Sequence, residues 1–460
     1  MAYLVWTVTA AAPARCQAPP EAPQSSASGE PAANPPVTIT LDEAIKRAEA
    51  NEPAFAAARA ASQSAGLDRS IARAGLLPNA RLFSQGIYTQ PNGIYAEGGE
   101  GVNSPNPKFV ANDSRPREYL DQGIVDETLS FSGLAALRKA DAAAAVARAQ
   151  LEIARRGLVA TVTALFYGSL AADHKTAIAQ QAWQDAANFT KITSDREKLG
   201  EAAHADVIKA QLTEQQQWRG LQDAKLAAQT ARLDLGVLLF TDPRTAYTLQ
   251  ASDAIVPLAP LPDVQAAAAK NNPQLKSALA SLDQSSADVM AARGALLPSL
   301  GLNVTYGIDA NEFATNGPLI TGGPFAGTRA RNLGYSTAFT VNLPVWDWFS
   351  TEHKVKQSEI QRDVARVALS AAQRQLIASL QEFYSTAQTA QQELQSLDQS
   401  VSDAAESLRL SELRYKDGEA LVIEVVDAQN AYVTAENARE DGRVRYENAL
   451  AQLQTLTGVR

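Results

Sequence analysis

The chain has 460 residues, a net charge of −9, 45% hydrophobic residues and only 6% aromatic ones. That balance argues against a nucleic-acid binder, which needs a basic surface to release phosphate counterions, and it suits long helices better than an aromatic-rich compact core. One cysteine, Cys16, and three scattered histidines, His174, His204 and His353, show no ligand spacing. No Gly-rich phosphate loop follows a strand and no nucleophile elbow occurs, so no metal, cofactor or catalytic site is expected.

Residues 1–36 read as a targeting segment and leader. An apolar run over residues 3–14 ends in small residues, and cleavage patterns of the A-x-A type extend to Ala18. Cys16 is a candidate for lipidation, although Arg15 stands where a small residue is expected. Residues 19–36, rich in Pro, Ala, Ser and Glu, suit a disordered leader. No later segment carries the run of about eighteen apolar residues that a transmembrane helix needs. A membrane role would therefore require a β-barrel.

The next residues begin a unit that occurs twice. Residues 41–87 match residues 261–307 without a gap: Asn51 and Pro53 fall on Asn271 and Pro273, Asp68 and Arg73 on Asp288 and Arg293, and Leu76-Leu77-Pro78 on Leu296-Leu297-Pro298. Further on, Phe166 and Tyr167 match Phe383 and Tyr384, and Gly200-Glu201-Ala202 match Gly418-Glu419-Ala420. The expected division is a leader at 1–36, a first repeat at 37–247, a linker at 248–260 and a second repeat at 261–460.

Each repeat opens with a helix, expected over residues 41–76 and 261–296. Asp42 and Asp263 sit near the positive end of the dipole, and Leu-Leu-Pro stops the helix. A strand follows. Leu300, Leu302, Val304 and Tyr306 alternate with small or polar residues, and after a polar loop Tyr335, Thr337, Phe339, Val341, Leu343 and Val345 do the same. The first copy, at 81–88 and 118–131, carries charges among its alternating apolar residues. The joining loops, 89–117 and 309–334, are rich in Gly, Asn and Pro.

The remainder of each repeat is helical. Residues 350–417 contain neither Gly nor Pro, and a continuous helix there would be roughly 100 Å long. Such a helix needs a neighbour along its side. Val425, Ala428, Tyr432, Ala435, Arg439, Gly442, Tyr446, Ala449, Leu453 and Leu456 provide it, stepping by threes and fours as a heptad seam that Arg439 and Gly442 interrupt. The first copy has a matching seam from Val207 to Leu238. Each repeat should end in an antiparallel helical hairpin turning at Gly200 or Gly418. The expected fold is mainly α with a small β part.

The order helix, Leu-Leu-Pro, strand, loop, strand, long helix, turn, long helix, given twice, resembles the TolC-like outer-membrane efflux proteins. Three stretches carry the likeness in detail: KLGEAAHADVIKA at 198–210, LPVWDW at 343–348 and RYKDGEALVIEVVDA at 414–428. The resemblance implies a homotrimer in which each chain gives four strands to one twelve-stranded barrel in outer-membrane lipid, with a helical tunnel in the periplasm. It implies an exit duct for an efflux pump or a type I secretion system, working with a periplasmic adaptor and an inner-membrane transporter, without enzymatic activity or a cofactor. It places a constriction at Asp206, Tyr415, Glu424 and Asp427 and adaptor-facing tips at Gly200, Glu201, Gly418 and Glu419. Ala420 stands where the family often has a basic residue. The competing reading is a periplasmic coiled-coil adaptor or scaffold. Against it stand the two strand pairs, each set between helices.

Overall fold

The computed structural model describes residues 37–88, 117–251, 255–310 and 312–458. The targeting segment, Cys16 and most of the loop expected at 89–117 lie outside these residues. Each opening helix is in fact two. In the first repeat α1 (Leu41–Asn51) is followed by α2 (Pro53–Ala74), and in the second α5 (Leu261–Asn271) by α6 (Pro273–Gly294). The break follows from proline: it disfavours helical geometry in the residue before it, so Glu52 and Asn272 turn extended and become caps. The Asn272 side chain accepts the Leu275 amide at 2.8 Å.

Two short strands, β1 (Val37–Ile39) and β4 (Tyr247–Leu249), pair in parallel, an element the sequence pattern did not suggest. Strand β4 crosses the boundary expected between the first repeat and the linker. Ile39, Ala44, Phe166, Leu235 and Tyr247 form a core where this ribbon and α1 pack on the long helices. Burial pushes the Tyr247 phenol up to about 12, and its hydroxyl donates to the Arg232 carbonyl at 2.7 Å. In the second repeat Val264, Ala268, Leu380, Ala387 and Leu453 form the corresponding cluster, with Phe383 and Tyr384 against it.

Strands β2 (Asn79–Tyr88), β3 (Arg117–Leu129), β5 (Ser299–Ala310) and β8 (Leu333–Asn342) form one antiparallel sheet in the order β2-β3-β5-β8. Register sorts its faces. Leu300, Leu302 and Tyr306 stand opposite Val341, Phe339 and Tyr335, while Asn303 and Thr305 stand opposite Ala338 and Ser336. The charges of the first copy divide between the faces. Arg81 and Asp126 share the polar face and pair at 3.3 Å, whereas Asp121 and Glu127 interrupt the apolar one. The sheet ends at Asn342 rather than at Val345, because Pro344 has no amide hydrogen for the ladder. The loop expected at 309–334 contains a small hairpin, β6 (Asn316–Leu319) with β7 (Arg329–Arg331).

Two very long helices, α3 (Phe131–Lys198) and α7 (Ser350–Lys416), carry the wall away from the sheet, and α4 (His204–Leu239) and α8 (Val422–Thr457) return along them. Near the sheet the lateral order of packed helices is α2-α3-α6-α7, the order of the strands they adjoin; toward the tips it is α4-α3-α8-α7. Ion pairs stitch the upper order: Lys139 to Asp288 at 2.7 Å between α3 and α6, and Arg293 to Glu359 between α6 and α7. The heptad seam of α8 is buried at Val425, Ala428, Tyr446, Ala449, Leu453 and Leu456. Gly442 belongs to that seam rather than breaking it. A Cβ there would stand 2.6 Å from Leu397 Cδ1 of α7, so a larger residue would require that leucine side chain to turn aside.

Candidate functional site at the hairpin tips

Both hairpins turn in the same way. Gly200 (φ +75°) and Gly418 (φ +83°) are left-handed, a conformation open to glycine and strained for other residues. At the first tip the Gly200 amide donates to Glu197 O and the Glu201 amide to Arg196 O, both at 2.9 Å. At the second the Gly418 amide donates to Tyr415 O at 3.1 Å and the Glu419 amide to Arg414 O at 2.8 Å. These are Schellman closures, which satisfy the last carbonyls of α3 and α7.

Side chains then distinguish the tips. Tyr415 is buried in the seam between the hairpins with Phe189, Ala210, Val422, Val425 and Val426. Its ring lies 5.0 Å from that of Phe189, and its hydroxyl donates to Thr193 Oγ1 at 3.3 Å. It is therefore a seam residue, with no carboxylate of the expected constriction as its partner. Arg196 of the first tip covers it. The guanidinium sits 4.9 Å above the Tyr415 ring, donates to the Tyr415 carbonyl and pairs with Glu201 at 3.4 Å. Arg196 is the tip residue whose contact across the seam pattern reading missed. The signal was present: an offset of 218 (414 − 196) places it on Arg414, beside the matched Gly200 and Gly418.

The expected carboxylates are not equivalent. Glu424 is the third residue of α8. Its side chain accepts the Leu421 amide at 3.3 Å and the Arg414 guanidinium at 3.1 Å, so it closes its own helix start. Asp427, one turn on, is exposed on α8, and Asp206 stands at the matching third position of α4, half-buried. Glu201 and Glu419 lie exposed beside their glycines. Within one chain, then, Arg196 and Tyr415 meet across the seam, while Glu424 binds locally and Asp427 is presented outward.

A cavity lined by Phe166, Val256, Leu258, Leu453 and Glu447 lies between the two core clusters. It is some thirty residues from the tip along α3, roughly 50 Å, and plays no part in the tip geometry. Among the described residues no group of three or more His, Cys, Asp and Glu could hold a metal ion, and no helix is long and apolar enough to cross a membrane.

A four-stranded sheet with an apolar and a polar face, continued by hairpins about 100 Å long, has the form of one segment of a channel wall. Residues 264–459 match the family model described as outer membrane efflux protein. The pyoverdine export outer membrane protein OpmQ of Pseudomonas putida is 24% identical over 420 residues, covering 90% of this chain and 83% of the relative. Protein CyaE of Bordetella pertussis is 27% identical over 252 residues, half of each chain. The fold is that of the Campylobacter jejuni CmeC outer membrane channel, with a TM-score of 0.72, 17% identity and coverage of 96% of this chain and 94% of that one. It is equally that of the outer membrane protein VceC from Vibrio cholerae, with a TM-score of 0.72, 15% identity and coverage of 91% and 96%. Residues 264–459 thus carry the outer membrane efflux protein domain, and the chain as a whole has the fold of TolC-family outer membrane channels, both of which point to the outer membrane.

Proposed function

We propose that three copies of this chain close into an exit duct that passes substrates from an inner-membrane pump, through a periplasmic adaptor, to the exterior. The observation that carries this reading is the pair of open lateral edges. Among the described residues the sheet ends at β2 on one side and β8 on the other, neither paired beyond. Below them Leu67 and Ile71 of α2 and Ile360, Val364 and Val367 of α7 expose apolar side chains at helical spacing. Unpaired strand edges cannot face lipid, and edges of two different kinds invite a head-to-tail contact that closes into a ring. The coiled-coil adaptor reading has no use for such a sheet.

In that ring Asp206, Glu424 and Asp427 of each copy line the periplasmic constriction, backed by Tyr415. The turns at Gly200, Glu201, Gly418 and Glu419 face the adaptor. Passage is passive, and the collected carboxylates favour cations and bind polyvalent ones as blockers. The mass of the detergent-solubilised protein, by light scattering, should be three times that of the chain, and reconstitution in planar bilayers should give cation-selective conductance. A monomer without conductance would sink the duct.

A further inference from the structure

The cleft between the two core clusters has a volume of about 790 Å³. Pockets that enclose a drug-sized molecule run from roughly 300 to 1,000 Å³. Both repeats build its wall. Thr163 and Phe166 of α3 line it from the first repeat, Val264 of α5 and Leu453 of α8 from the second, and all four are buried. Among the described residues it takes no lining from α2, α4 or α7, the helices at the lateral flanks of the chain. Contacts made at those flanks therefore do not call on this wall.

Charge decides what such a cleft accepts. Asp42, in the first turn of α1, and Asp263, in the first turn of α5, line it and are exposed, whereas Glu447 of α8 lines it and is buried, at 9% exposure. Among the described residues no Lys, Arg or His lines it. The starts of α1 and α5 border the cleft as well, and each contributes about half a positive charge. Three carboxylates outweigh them. The net field repels an anion and attracts a cation, and the apolar wall lowers the local dielectric and so strengthens it. Thr40, Gln250 and Gln454 add side-chain oxygens that accept hydrogen bonds from an ammonium group.

We propose that this cleft is a binding site for a drug-sized organic cation. An apolar, ring-bearing body packs on Phe166, Val264 and Leu453, and its ammonium group lies toward Asp42 and Asp263. The apolar wall supplies affinity, and the carboxylates select the sign of the charge. Such a ligand touches both repeats, so occupancy ties α1 and α3 to α5 and α8. The site is separate from the tip and does not depend on closure of a ring.

The test uses the full chain in phosphatidylcholine nanodiscs and three probes that share one fluorophore: cationic dansylcadaverine, neutral N-butyl dansylamide and anionic dansylglycine. Empty nanodiscs give the blank. Dansylcadaverine emission should rise saturably, with a dissociation constant on the order of 10 µM. The neutral probe should bind about tenfold more weakly, and the anion more weakly still. Asp42→Asn with Asp263→Asn should remove most of that preference while the neutral probe binds as before. Ala267→Trp, which places a ring in the cleft, should weaken the cationic and the neutral probe alike. Both aspartates are exposed, so the asparagine pair decides the matter even where the tryptophan variant fails to fold. Equal binding of the three probes, a preference for the anion, or emission no higher than the blank would overturn the site. A cation preference undiminished in the asparagine pair would place the probe elsewhere and overturn it equally.

Discussion

The first hairpin ends in Asp195-Arg196-Glu197-Lys198-Leu199-Gly200-Glu201 and the second in Leu413-Arg414-Tyr415-Lys416-Asp417-Gly418-Glu419, in register at an offset of 218 (418 − 200). What the backbone demands is the same in both: a left-handed glycine and two amides returned to the last turn. What the side chains do has diverged. Arg196 reaches out of its own tip to the Tyr415 ring and carbonyl, whereas Arg414 stays in its own tip, bonding the Glu419 carbonyl at 3.2 Å and Glu424 at 3.1 Å. The residue after the arginine makes the difference. Tyr415 offers a flat face and a seam partner, while Glu197 turns away to His204 at 2.7 Å. The two turns share one backbone, and of the three positions at which they differ, Glu197 against Tyr415 makes one tip the clasp and the other the surface it grips.

The largest effect should come from removing the clasp. Arg196→Ala strips a charge-assisted hydrogen bond and a cation–π contact from a part-buried seam. Such a bond is worth about 1.5–3 kcal/mol, and about 1.4 kcal/mol already shifts a two-state equilibrium tenfold. Single-channel recording should show open probability raised about tenfold or more. Arg196→Lys, which keeps the charge without the planar fork, should fall between the variant and wild type. Arg414→Ala loosens only its own tip and should change opening far less. Equal effects from the two arginines would erase the asymmetry on which the comparison rests.

A smaller effect separates the carboxylates. Asp427 is exposed and presented outward, whereas Glu424 already has a cation and an amide. Asp427→Asn should therefore reduce cation selectivity and block by a trivalent cation more than Glu424→Gln does. The double change to Ala should exceed either single one. If Glu424→Gln proves dominant, the local cap opens in the assembled duct and the single-chain geometry is not the working one. Unchanged selectivity in the double variant would remove the constriction from this end altogether.

Much of this architecture could be read from residues because it is repeated or periodic. The Leu-Leu-Pro stops, the alternation along β5 and β8 and the seam of α8 each report a local rule. What escaped depends on contacts between distant segments or on one residue's backbone. Pro53 and Pro273 were visible, yet a helical pattern runs across them, and only the geometry of Glu52 and Asn272 shows the break. Gly442 reads as a defect in a heptad until Leu397 is seen against it. Tyr415 reads as a neighbour of the nearby acids, but burial carries it into the seam with Phe189 and Thr193, residues more than two hundred positions away. The β6–β7 hairpin hid inside a Gly-rich composition that described a loop equally well.

The smallest expected effect tests whether surface charge at the tips matters at all. Asp195 and Lys198 pair at 2.8 Å in the first tip, where the second has Leu413 and Lys416 and so no counterpart. The Lys198 ammonium holds the Asp195 carboxyl below its ordinary 3.8, and Asp195 in turn raises Lys198 above 10.5. The depressed carboxylate stabilises the tip above its unfolded value and loses that contribution as pH falls through the folded one. The raised ammonium contributes below 10.5 and loses its share as pH climbs through its own folded value. Between these limits the pair is constant, and both side chains are exposed, where screening removes most of the attraction. Asp195→Leu, which copies the second tip, should therefore leave conductance and its pH profile between about 5 and 9 unchanged. A shift in opening comparable with that of Arg196→Ala would mean that the exposed rim, rather than the seam, holds the two hairpins together.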